Sequence, residues 1–219
     1  FEVKEPVLVI GLGGAGIRLA LEMREVLGAD SLKISQDKKD VSEHNSIHIS
    51  TNSIINPSVQ LIRGCAMEQS ENIAKHVSAY ETVIIMANLA GKAGAALAPV
   101  VSSICKEQNK NVLSFAVMPF KFEKDRIFNS GISLKRLRMN SDSTIIIDND
   151  AILDSNPDLS AEKCYDITND AIKCLATSIK SSALSDDTNI LSSSRNAENM
   201  EDSVKDSIRM LYEDAPPNS

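Results

Sequence analysis

Residues 7 to 20 read VLVIGLGGAGIRLA, a run of apolar β-formers that passes straight into glycines and then into a segment of helical period. Few backbones accept that order. A buried strand must end in a tight turn, and Gly11, Gly13, Gly14 and Gly16 let the chain reverse there. The same turn aims backbone N–H groups and the positive end of the next helix at whatever lies beyond the strand, which suits an anion such as phosphate. Alone, the pattern also fits a dinucleotide-binding unit or a packing turn without ligand. A dinucleotide unit calls for an acidic residue at the end of the following strand. The strand read there, Ile47 to Ser50, ends with Ser50 and Asn52 instead, which counts against NAD.

Beyond this turn, short β-rich apolar runs alternate with longer helical segments, the pattern of a parallel sheet with crossover helices. Strands are predicted at Val7 to Ile10, Ile47 to Ser50, Thr82 to Ala87, Val112 to Val117 and Ser143 to Ile147. Helices are predicted at Gly14 to Leu27, Pro57 to Ala79 with a break near Gly64, Gly94 to Gln108 and Phe128 to Arg138. A longer one runs from Ser160 to Ala183, with Ser160 as N-cap. The expected fold is therefore α/β, a Rossmann-like parallel sheet with helices on both faces followed by a long central helix. A Ser/Asp/Asn-rich stretch from Leu184 to Asn199 reads as a loop, Met200 to Glu213 as a polar helix, and Ala215 to Ser219 as an unstructured tail.

Charge and composition remove several function classes. A net charge of −7 over 219 residues leaves no global basic face for nucleic acid, and the cluster Lys135, Arg136, Arg138 is too short to change that. No apolar run approaches the roughly 18 residues that a membrane span requires. Cys65, Cys105, Cys164 and Cys174 lack zinc-ligand spacing and read as buried reduced thiols, so no metal site is expected from them. No signal segment precedes Phe1, which points to a cytoplasmic location, and the missing Met suggests trimming.

Four further stretches narrow the reading. IGLGGAG is followed in order by ANLAGKAGAALAPVV (87 to 101), PFKFEKDR (119 to 126) and STIIIDND (143 to 150). In order and spacing this resembles the GTP-binding N-terminal domain of the tubulin/FtsZ family, in a divergent, archaeal-type form, over about residues 6 to 180. The family's counterparts are a glycine loop, the GGGTGTG signature with AAPVV, a PFxFEGxxR segment and an IPND turn.

The resemblance implies a guanine nucleotide, GTP or GDP, with Mg2+ accompanying the triphosphate, and head-to-tail self-association into filaments that serve cell division or cell shape. A membrane tether or division partners would then act beside the filament, without insertion of this chain into a membrane. Gly11, Gly13, Gly14 and Gly16 would cradle phosphates, Glu123 would accept from ribose hydroxyls, and Arg126 would lie near sugar and phosphate. Asn149 would meet the base with Tyr165 and Asn169, which stand at i and i+4 on one helix face. The ring suits stacking on guanine and the carboxamide suits its donor and acceptor edge; alternatively, Tyr165 merely packs on the sheet. NPSVQLIR (56 to 63) resembles the family's terminal-phosphate loop, which would bring in Asn56 and Arg63, although Pro57 also suits an ordinary helix start.

Departures from the family concern catalysis. The signature loop aligns with Ala90 to Ala96, including Gly91, Lys92, Ala93 and Gly94, so two threonines and several glycines are gone. Lys92 is either a replacement charge against the β or γ phosphate or a solvated lysine. Arg18 stands where the family has Asn. The family's NxDxxD loop, which orients water at the γ-phosphate of the next subunit, has its nearest counterpart at Asn199 to Glu201, with Val204 in place of the second acid; Asp186 and Asp187 are alternatives, as is a solvated acidic linker. Glu201 is thus the candidate catalytic acid, and hydrolysis is expected to be slow or absent. A pseudo-GTPase scaffold that keeps the fold without using nucleotide is the alternative. We expect residues 1–183 to form the nucleotide-binding domain with the long helix. Residues 184–219 would hold the divergent catalytic loop, polar helix and tail, as the start of a missing C-terminal domain.

Overall fold

The computed structural model describes residues 3–41, 44–52, 55–155 and 158–180. Six strands, β1 (Val7–Leu12), β2 (Asp30–Ser35), β3 (Ser46–His48), β4 (Thr82–Asn88), β5 (Asn111–Val117) and β6 (Ser143–Ile147), form one parallel sheet in the order β3-β2-β1-β4-β5-β6. The helices are α1 (Gly13–Leu27), α2 (Val59–Glu68), α3 (Ser70–Val77), α4 (Lys92–Glu107), α5 (Lys124–Asn140), α6 (Asn149–Ser155) and α7 (Ala161–Lys180). This doubly wound order reverses direction between β1 and β4, where the crossovers part to opposite faces and leave a crevice outside the strand ends.

Strand alternation divides the apolar side chains between two helical layers. Val7 and Val9 of β1, Ile84 and Met86 of β4 and Phe115 of β5 pack with Leu19 and Met23 of α1 and Ala171, Ile172 and Ala176 of α7. On the other face, Leu8, Ile10, Val83 and Ile85 meet Ile62 of α2, Ile73 of α3, Val101 of α4 and Leu137 of α5. Helix α4 is buried along nearly its whole length, because α2, α3 and α5 cover what the sheet does not. Its alanines, Ala93, Ala95, Ala96 and Ala98, carry too little side chain to hold those neighbours apart.

Several boundaries differ from the sequence reading. Strand β2 was not anticipated: only Leu32 and Ile34 supply large apolar side chains in DSLKIS, too few to stand out beside the run in β4. The segment after residue 57 breaks at Gln69 rather than near Gly64, since α2 ends there and α3 restarts at Ser70. Helix α5 begins four residues before the expected Phe128, and α6 was not foreseen. Cys105 and Cys164 are buried as expected, but Cys65 and Cys174 are only half-buried. Burial pushes the Cys105 thiol up to about 12, far from a reactive thiolate. No described helix is long and apolar enough to cross a membrane. The loop, polar helix and tail read over residues 184–219, and the final residues of the long helix, lie outside the described residues.

Phe115 lies fully buried at the centre of the α1/α7 layer. Phe115→Ala is expected to lower stability by about 3–5 kcal/mol through lost transfer energy and the cavity left behind. A urea unfolding curve with an unchanged midpoint would show that this layer is not the core we describe.

Candidate nucleotide site

Helices α1 and α4 follow β1 and β4, so their N-termini open on either side of the switch point. At Gly13, φ is +68°, and a Cβ placed there would stand 2.7 Å from the Ala93 Cβ and 3.5 Å from the Gly94 nitrogen. The two turns therefore touch. Gly94 fits for a similar reason, as any side chain would run into the Asn88 carbonyl oxygen. Neither helix has a side-chain N-cap, Leu12 and Gly91 occupying those positions, and neither carries an acid in its first turn. By contrast, Ser58 caps α2 by accepting from the Leu61 N–H at 3.1 Å, and Ser160 accepts from the Lys163 N–H at 3.3 Å at the start of α7. Two uncapped helix termini side by side form a region of positive potential with free donors.

Asp40 reaches the α1 side of this region. The Asp40 carboxylate accepts from Ser35 Oγ at 2.7 Å and lies 3.0 Å from where a Gly14 Cβ would stand. The strand beside β1 is β2, not the one ending at Ser50, and Asp37 and Asp40 follow it, so an acid does stand after the second strand. A lone carboxylate such as Asp40 does not by itself make a cation site, although Mg2+ commonly needs only one or two protein carboxylates. Among the described residues there is no cluster of three or more metal-ligating side chains.

Beside the glycine turn, α1 and α7 border a cavity of about 490 Å³ whose lining includes Arg18, Asn88, Tyr165 and Asn169 together with the acids Glu22, Glu162 and Asp166. Tyr165 and Asn169 thus share one hollow with the helix that starts at Gly13. The half-buried Tyr165 ring meets Phe120 edge-on at 5.8 Å and 82°, and Phe120 stacks on the exposed Phe122 at 4.9 Å and 10°. Its phenol is raised above the usual tyrosine range, first by burial and then by the charge of Glu123, while Arg126 and a hydrogen bond with Asn88 work the other way. Asn149, expected at the base, is fully buried and does not line the cavity. Its Nδ2 donates to the Met118 carbonyl at 3.3 Å and its Oδ1 accepts from Thr168 Oγ1 at 3.2 Å. It ties α6 to α7 instead of facing a ligand.

On the α4 side, a recess of about 350 Å³ is lined by Leu89, Gly91, Lys92, Asp125, Arg126 and Asn129 among others. Glu123 Oε1 accepts from Arg126 Nη1 at 2.7 Å, and its Oε2 accepts from the Phe120 N–H at 3.1 Å. Lys92 Nζ donates to Asn56 Oδ1 at 2.6 Å, which brings the loop before α2 to the mouth of α4. Arg63 does not join them. Its Nη2 donates to the Ala95 carbonyl at 3.3 Å and Ser133 Oγ at 3.4 Å, and it is absent from the lining of this recess. Asn88 and Asp40 were missed from sequence. Asn88 had a signal, a single polar residue closing the apolar run TVIIMAN, whereas Asp40 had none once β2 went unread. Glu201 lies outside the described residues.

A doubly wound parallel sheet with two helix termini opening at its switch point defines a Rossmann-like α/β domain. This chain belongs to the tubulin/FtsZ family, whose GTPase-domain model matches residues 29–157. The cell division protein FtsZ 2 of Halobacterium salinarum is 29% identical over 178 residues, which are 76% of this chain and 44% of that protein. The cell division protein FtsZ 1 of Pyrococcus woesei is 27% identical over 189 residues, 78% of this chain and 50% of that protein. The chain spans about half the length of the curated relatives it matches. In fold it resembles an empty FtsZ dimer from M. jannaschii, with a TM-score of 0.70 and 23% identity over 81% of this chain and 56% of that one. It also resembles CetZ from Methanosaeta thermophila, with a TM-score of 0.64 and 19% identity over 83% of this chain and 55% of that one.

Because the fold favours the protonated phenol of Tyr165, the stability this supplies is full below the unfolded pKa of about 10 and fades as pH rises through the higher folded value. In a spectrophotometric titration, Tyr165→Phe should remove a phenol that ionises above that range. Loss of a normally titrating phenol would put the ring in open water.

Proposed function

We propose that this chain binds GTP or GDP across the switch point and assembles head to tail into filaments. The observation that carries the reading is that the open N-termini of α1 and α4 touch at Gly13 and Ala93, beside the cavity into which α7 sets Tyr165 and Asn169. In this reading the phosphates take the amides of Gly11, Gly13, Gly14, Gly16, Gly91, Ala93 and Gly94, and the base stacks on Tyr165 with Asn169 at its edge. Arg18 faces the base cavity from α1, Glu123 keeps oxygen lone pairs for the ribose, and Arg126 stands beside the sugar and phosphates. Asn56 hands Lys92 to the terminal phosphate. Mg2+, when bound with the triphosphate, neutralises phosphate charge, and Asp40 is the carboxylate that would hold it.

Exposed apolar side chains near this edge support assembly: Phe122 in the turn before α5 is 65% exposed and Phe128 within α5 is 73% exposed, an uncommon exposure for rings that serve no contact. A cytoplasmic role in cell division or cell shape follows from this reading, with any membrane tether supplied by another protein. Slow hydrolysis fits the side chains that Ala90, Lys92 and Ala96 add where the family has glycine, the loss of threonine at Ala93 and Ala95, and the absence of a second acid at Val204. A pseudo-GTPase scaffold is the second reading, favoured by the Lys92–Asn56 bond, which satisfies the mouth without a ligand.

Denaturing the purified protein and separating released small molecules by ion exchange distinguishes the two. Stoichiometric GDP or GTP is expected, and a ligand-free protein that also fails to bind added nucleotide would leave only the scaffold. Asn169→Ala should weaken guanine nucleotide binding by more than roughly 1 kcal/mol, because the base edge loses its hydrogen-bonding partner. An unchanged titration would remove Asn169 from the site.

A further inference from the structure

On the face of the sheet opposite the α1–α7 cavity, α2, α4 and α5 surround a second hollow of about 290 Å³. Its apolar wall is formed by Pro99 and Ile104, with Met67 and Met139, 62% and 60% exposed, at the rim. Its charged lining is Arg63 of α2, Arg136 of α5 and Glu107 of α4. The one carboxylate is partly engaged, as Glu107 Oε1 accepts from Ser103 Oγ at 3.0 Å. Two guanidinium groups and one carboxylate leave the hollow with an excess positive charge, in a chain whose net charge is −7.

Arg63 is held as a binding group would be. Its Nη2 is fixed by the Ala95 carbonyl and Ser133 Oγ, so the plane of the guanidinium is set before any ligand arrives. Its buried Nε has no hydrogen-bond partner among the described residues. Arg136 is exposed and forms no ion pair among them. Burial, and then the neighbouring charge of Arg136, hold the Arg63 guanidinium below its ordinary pKa, so the two cations stand close enough to repel. An anion between them removes that repulsion and pairs with donors already aligned.

We propose that this hollow binds a small amphiphilic phosphate monoester, its head between Arg63 and Arg136 and its apolar body against Met67 and Met139. A phosphate head carries close to the two negative charges that two guanidiniums match. The methionines are flexible and polarizable, which suits a contact with a variable aliphatic group. The volume lies at the lower end of ligand pockets and favours a small molecule over a macromolecular partner. The site does not depend on the nucleotide reading, since it uses the other helical layer.

The test is calorimetric titration of the full chain with octyl phosphate and with inorganic phosphate, alongside spectra of methyl-labelled methionine. Octyl phosphate is expected to bind one per chain, roughly tenfold or more tightly than inorganic phosphate, because its tail buries apolar surface. The methyl signals of Met67 and Met139 should shift, and GDP in excess should leave both unchanged. Arg136→Gln, an exposed change that spares the core, should weaken binding roughly tenfold or more. Absence of binding, affinity unaltered in Arg136→Gln, equal affinity for inorganic phosphate, or displacement by GDP would each overturn the proposal.

Discussion

Two helix N-termini forced into contact at one point of the sheet set the terms for the rest of this molecule. Each carries the equivalent of about half a positive charge, so placing α1 against α4 is electrostatically unfavourable until something negative lies between them. The contact exists because backbone replaces side chain there. Gly13 adopts a left-handed conformation beside Ala93, and Gly94 slides under the Asn88 carbonyl. Packing on both faces holds the arrangement, with α1 against α7 and α4 enclosed by α2, α3 and α5. Asp40 supplies part of the missing negative charge. The phosphate chain of the proposed nucleotide would supply far more.

Side chains away from the crevice decide the shape of the cavity next to it. Asn149 and Thr168 join the end of β6 to the middle of α7 through buried hydrogen bonds, and the alignment of that helix determines where Tyr165 and Asn169 project. The most conspicuous polar residue of the STIIIDND stretch therefore acts through α7. Glu123 behaves similarly, bracing the turn before α5 through the Phe120 N–H and orienting Arg126 at the rim.

The sheet, the long helix and the glycine turn were legible because each rests on a local rule: apolar runs for strands, 3.6-residue periodicity, and glycine where backbone must approach backbone. Tyr165 and Asn169 were readable as a pair for the same reason, since i and i+4 share a helix face whatever the tertiary structure. What escaped was decided by distant neighbours. Strand β2 has only Leu32 and Ile34 to bury and is a strand because β1 and β3 pair with it on both sides. With β2 unread, nothing in the sequence places Asp40 beside the glycine turn. Arg63 lay in a motif that pointed it to phosphate, yet the Ala95 carbonyl and Ser133 captured it. Sequence cannot rank such competing partners.

Phe122, Phe120 and Tyr165 form a continuous column of rings, parallel at its outer joint and perpendicular at its inner one. Its outer end stands in solvent and its inner end borders the α1–α7 cavity. A single line of ring contacts thus runs from the solvent-exposed face of this edge to the wall of the chamber.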